Sequence, residues 1–149
     1  MSNFDAEPVT PGRAAPGVAF DRAMTAVDAR CTHLAFMLDG GDLARIEQVA
    51  RSAANLWLTG LSALRRLVER DRGASPQIAD ARQRLDATYA RLLAVIRRAH
   101  AEAPDLSTRS QLDTLWTDVV TAAAKPIDDA SAVAGARSAD DTEETDINA

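Results

Sequence analysis

Between residues 18 and 124 apolar side chains recur every three or four positions, the period of helices buried along one side. In the first run, about 18–38, Phe20, Met24, Val27, Cys31, Leu34 and Leu38 follow spacings of 4, 3, 4, 3 and 4, a heptad seam. The stretch DGGD at 39–42 stops it, because Gly40 or Gly41 suits a left-handed C-cap and Asp42 suits the next N-cap. The second run, about 43–71, places Leu43, Ile46, Ala50, Ala53, Trp57, Leu61, Leu64 and Val68 on one stripe. Val49, Leu56 and Leu58 widen that stripe, which predicts contact with two neighbouring helices. Gly60 lies inside this run at a cost of about 1 kcal/mol relative to alanine, and a close helix crossing would explain it.

The segment DRGASP at 71–76 reads as a turn between helices, with Gly73 as C-cap, Ser75 as N-cap and Pro76 at the first helical position. A third helix is predicted over about 76–102, with Ile78, Ala81, Leu85, Tyr89, Leu92, Ile96 and Ala99 inward. Pro104 breaks it. Thr108 and Gln111 are spaced as a capping box for a fourth helix over about 107–124, carrying Leu112, Leu115, Trp116, Val119 and Ala123. No segment alternates with the two-residue period of a strand. The predicted fold is all-α: a single antiparallel bundle of about four helices at 17–125, dominated by a long helix two–helix three hairpin. That hairpin would run about 40 Å at 1.5 Å per residue, and the shorter outer helices would cover only part of it. Residues 1–16, with three prolines, and the small, polar segment 126–149 are expected to be disordered.

Composition sharpens this picture without changing it. The 149 residues fit one domain, and only 4% are aromatic, so the core must be aliphatic. Alanine is about a fifth of the chain, and a single lysine stands against sixteen arginines; coding bias in a GC-rich genome accounts for such an excess as readily as function does. One cysteine excludes an intrachain disulfide and a cysteine-cluster metal site. No apolar run approaches the roughly 20 residues of a membrane span, and residues 1–17 lack the apolar core of a signal peptide. The default expectation is a cytoplasmic protein without a membrane partner. Charge is uneven: residues 42–103 carry a net +4 and residues 126–149 a net −6.

Candidate chemistry is sparse. In the stretch CTHLAFML at 31–38, Cys31 lies on the heptad seam, where a free thiol behaves as a small hydrophobe. His33 follows two residues on, about 200° around the helix, so the two do not form a nucleophilic pair. An outward histidine on a helical bundle resembles the phospho-accepting site of histidine phosphotransfer domains, whose motif is similar to His-x-Leu-Lys-Gly. Here the run is His33-Leu34-Ala35-Phe36-Met37: the leucine comes one position early, and the lysine and glycine are absent. His100, near the end of the third helix, suits a favourable interaction with the helix dipole. There is no paired Glu-x-x-His set, glycine-rich phosphate loop or serine–histidine–aspartate arrangement, so no cofactor, metal or small-molecule substrate is implied.

Two features point to partners. Phe36 falls opposite the seam of the first helix, with Ala29 and His33, which suggests that a second surface covers that face. Arg65, Arg66, Arg70 and Arg72 close the second helix, while Arg82 and Arg84 open the third, so the hairpin collects all six at one tip. Acids at 69, 71 and 80 dilute that charge, and the chain's pI near 5.0 points away from nucleic acid as the principal partner. The expectation is a non-enzymatic protein–protein interaction module (adaptor, chaperone-like or regulatory) that binds another protein or a second copy of itself, through Phe36 and the tip arginines. Nucleic-acid binding at the tip and phosphotransfer at His33 stand as alternatives. The stretch GDLARIEQVARSAANLWLTGLSALRRLVERD also resembles the long-helix core of small export chaperones of flagellar and type III secretion systems. The five acids of DDTEETD at 140–146 are expected to fold back onto the tip arginines through weak, salt-sensitive contacts.

Overall fold

The computed structural model describes residues 15–71 and 75–127. Expectations placed on 1–14, on 72–74 and on 128–149, including disordered ends, the Gly73 cap, the position of Arg72 and the docking of the acidic tail, lie outside the described residues. Four helices follow one another: α1 (Pro16–Asp39), α2 (Ile46–Asp71), α3 (Pro76–Glu102) and α4 (Leu106–Ala124). Among the described residues there is no strand.

The boundaries follow local chemistry. α1 begins at a proline, whose missing N–H belongs to a position where no intrahelical partner exists. It ends where Gly41 adopts a φ of 73° and the Asp42 N–H donates to the Met37 carbonyl at 2.9 Å. Ala44 and Arg45 then form a turn, so α2 starts at Ile46, three residues later than its apolar pattern implies. α3 starts as the sequence reads: the Ser75 hydroxyl accepts from the Ile78 N–H at 3.1 Å, with Pro76 next. α4 differs. Asp105 is its N-cap, accepting from the Thr108 N–H at 2.7 Å, which brings the start forward to Leu106 and makes Thr108 a third-position residue instead of a cap. A carboxylate caps better than a threonine hydroxyl, and that hydrogen bond holds the Asp105 carboxyl below its ordinary pKa.

Chain neighbours run antiparallel. α2 and α3 each touch the other three helices, whereas α1 and α4 do not meet. The α2–α3 hairpin is therefore the middle of the bundle, with α1 on one side and α4 on the other. This exceeds the two neighbours that the wide stripe of α2 implied. Trp57 sits at the centre, 1% exposed; its indole N–H donates to the Leu85 carbonyl at 3.3 Å and its ring lies 5.3 Å from that of Tyr89. The heptad seam of α1 is buried throughout, including Cys31. It packs tightly on α2 at Gly60, where an added Cβ would lie 3.3 Å from the Ala23 Cβ and against the Met24 methyl.

A polar ladder sets the register of α1 against α3, which run parallel. Arg84 meets Asp21 at 3.5 Å and Thr25 at 3.0 Å. Arg91, seven residues on, meets Asp28 at 3.0 Å and also Thr32. Arg98, seven further, meets Asp39 at 2.6 Å. Each exposed rung contributes little stability, but the aspartates are unevenly spaced, so all three pairs form together in one register only.

Two substitutions test this packing by chemical denaturation. Trp57→Ala should cost about 3–5 kcal/mol, because it empties the centre of the hairpin. Gly60→Val should cost about 1–3 kcal/mol by forcing α1 away from α2, while a valine at the exposed Asn55, one turn earlier, should cost much less.

Candidate functional site

Because α1 and α4 stay apart, α3 shows solvent one long face between them. That face carries a run of alanines: Ala87, Ala90, Ala94 and Ala101 are all exposed. On the α1 side stands Phe36, 76% exposed. It lies one turn from Thr32 and from Asp39, the residues that meet Arg91 and Arg98, and is thus level with the turn of α3 that carries Ala94. On the α4 side stands Trp116, half-buried, with the Arg97 guanidinium 5.2 Å from its ring centre. Such stacking is a cation–π contact. Beside it lies a cavity of about 180 Å³ lined by Ile96, Arg97, His100, Leu112, Asp113 and Trp116. His100 Nε2 and Asp113 Oδ1 close its end at 2.9 Å, an ion pair whenever the imidazole is protonated. That contact, more than the helix dipole, now occupies His100.

The outer face of α2 contrasts with this. Residues 52–64 hold no charge. Ser52, Asn55 and Thr59 line an open depression of about 480 Å³ together with Gln48, Arg51, Leu56 and, from α1, Arg30. The two guanidinium groups are already engaged, Arg30 with the Ser52 hydroxyl at 3.0 Å and Arg51 with Glu47 and Gln111.

The tip arginines do not form one cluster. Arg65 turns to the end of α4 and donates to the carbonyls of Ala122 at 3.3 Å and Lys125 at 3.4 Å, a cation placed on a helix C-terminus. Its buried Nε has no hydrogen-bond partner among the described residues. Arg84 is the first rung of the ladder to α1. Arg66 is exposed, and Arg70 and Arg82 make interactions of their own. Ile127, just past α4, packs half-buried against the core beside Trp57, Leu61 and Tyr89.

Phe36 and His33 both face solvent, as their heptad positions imply, while Cys31 is 2% exposed. The sequence reading missed Arg97 and Trp116 as a pair and the exposed alanines of α3. Their signal was available: Ala87, Ala94 and Ala101 recur every seven residues on the side opposite Ile78, Leu85, Leu92 and Ala99. No protein family, no curated protein and no solved structure matches this chain. No described helix is long and apolar enough to cross a membrane.

Burial pushes the Cys31 thiol up from about 9 to about 11, with the nearby Arg91 opposing and Asp28 adding to the shift. Since the thiolate is the reactive form, native Cys31 should resist maleimide or iodoacetamide at pH 8 and react at the rate of a free thiol once the chain is unfolded in denaturant. Because its folded pKa is raised, the stabilisation tied to the neutral thiol is complete below about pH 9 and should be lost as the pH rises towards 11. Thermal melts between pH 8 and 11 should show this loss in the native chain and less of it in Cys31→Ala.

Proposed function

We propose that the protein is a non-enzymatic interaction module that docks another protein on the outer face of α3. The observation that carries this reading is Phe36: a large aromatic side chain, 76% exposed, on the α1 side of an α3 face of exposed alanines whose other side carries Arg97 over Trp116. Phenylalanine, tryptophan and arginine are over-represented where protein interfaces concentrate their binding free energy. The exposed alanines support the same reading, since side chains without reach let a second backbone approach closely. An adaptor, a chaperone-like protein or a regulatory subunit would use such a face, and the resemblance of the α2 stretch to export chaperones agrees with that class. Arg66, exposed at the tip, would serve the same partner as a secondary contact.

A photo-reactive phenylalanine analogue at position 36, another at 94 and a control at 55 test this in the native host. Positions 36 and 94 should trap the same protein and position 55 should not. With that partner in hand, Phe36→Ala should weaken binding by about 2 kcal/mol or more while changing folding stability by no more than about 0.5 kcal/mol, as expected for an exposed position. Equal trapping from all three positions, or none from 36 and 94, would remove α3 as the docking face.

A further inference from the structure

α4 runs for 19 residues against 26 in α2 and 27 in α3, and it ends in Ala122, Ala123 and Ala124. Methyl side chains do not reach across to α3, and a cavity of about 250 Å³ remains there. Close-packed interiors leave few voids larger than a water molecule, whereas an apolar cavity of about 150 Å³ already admits benzene. The floor is Trp57, Leu61 and Leu85, all buried. Tyr89, half-buried, and Asp86, exposed, line it from α3, Ala123 lines it from α4, and Ile127 lines it from just past that helix. Phe36, Arg97 and Trp116 take no part, so this site is separate from the α3 face described above.

Size and floor suit a single aromatic ring or a fused pair. Tyr89 and Trp57 lie with their ring centres 5.3 Å apart, and a further ring would stack or meet edge-on at a similar spacing of about 4.5–7 Å. The lining itself sets the sign of charge. Among the described residues, Asp86 is the only charged side chain that lines the cavity. It makes no ion pair there, unlike Asp21, Asp28 and Asp39, which the arginines of α3 hold. Ala123 and Ala124 belong to the last turn of α4, where helix carbonyls carry negative partial charge. The face of the Tyr89 ring is a third attraction for a cation. Arg65 engages the Ala122 and Lys125 carbonyls without lining the cavity. Carboxylate, helix end and ring face all favour positive charge, and the first two oppose an anion.

We propose that this cavity is a binding site for a small aromatic cation, with its ring on Tyr89 over the Trp57–Leu85 floor and its ammonium group beside Asp86. The site does not depend on a protein docking on α3, and either can fail without the other.

Tryptamine, indole and indole-3-acetate share one ring system and carry a positive charge, none and a negative charge at neutral pH. Each is titrated into the full chain and followed by nitrogen–proton correlation spectra. Tryptamine should shift the amides of Asp86, Tyr89, Ala123 and Ile127 and the indole N–H of Trp57. It should bind roughly three- to fivefold more tightly than indole, the scale of one exposed ion pair, and indole-3-acetate should bind more weakly than indole. Asp86→Asn, at an exposed position, should bring tryptamine to the affinity of indole and leave indole unchanged. Ala123→Leu fills the cavity and should abolish the shifts from all three probes; if that variant fails to fold, Asp86→Asn decides alone. Equal affinity for tryptamine and indole-3-acetate in the native chain, or a tryptamine affinity unchanged in Asp86→Asn, would overturn the proposal. So would an absence of shifts at millimolar probe, or shifts centred on His100 and the Trp116 indole N–H, which would place the ring in the smaller cavity between α3 and α4.

Discussion

Trp57 sits where α2 and α3 cross, with its indole N–H on the Leu85 carbonyl and its ring against Tyr89. In a chain with 4% aromatics, this is the largest fully buried side chain among the described residues. A small residue is then needed wherever another helix comes close, and Gly60 meets that need on the α1 side, one turn beyond Trp57. α1 and α4 pack on opposite sides of this hairpin and are held apart by it. A square bundle would have closed α1 against α4 and hidden one face of the hairpin. This arrangement leaves an outer face on α2 and another on α3, and the difference between them is the basis of the functional reading.

The two faces differ in chemistry because they solve different problems. The face of α2 shows serine, asparagine and threonine, which hydrogen-bond to water and to neighbouring side chains at little cost. The face of α3 shows alanine, with Phe36 of α1 to one side and Trp116 of α4 to the other. Alanine on a solvent-facing surface is ordinary in an alanine-rich chain. A phenylalanine left three-quarters exposed in a chain with few aromatics is less so. The arginines divide in the same way. Most of those on α3 are taken up by the ladder to α1, and Arg65 by the end of α4, so the tip that looks strongly basic in sequence is largely used for internal alignment. Arg97, one position off the seven-residue spacing of Arg84, Arg91 and Arg98, is left on the outside.

Four helices, their order and most of their ends were legible in the chain itself, because heptad spacing, Ser75-Pro76 and the glycine pair at 40 and 41 act locally. So was the placement of Phe20, Met24, Val27, Cys31, Leu34 and Leu38 inside, and of His33 and Phe36 outside, since angular position on a helix depends on spacing alone. The N-cap of α4 is three residues earlier than the sequence reading placed it, at Asp105 and not Thr108, because two capping signals compete within one turn and the stronger acceptor wins. What spacing cannot convey is which helix faces which: the same stripes suit a square or a diamond arrangement. Only the packed structure separates α1 from α4, turns Arg65 and Arg84 inward to α4 and α1, and brings Phe36, Ala94, Arg97 and Trp116 to one level. The physical reason is range. Periodicity and capping are set within a turn or two of chain, whereas the choice among helix neighbours depends on side-chain volumes and charge pairs that meet across 60 or so residues of sequence, as Arg91 and Asp28 do.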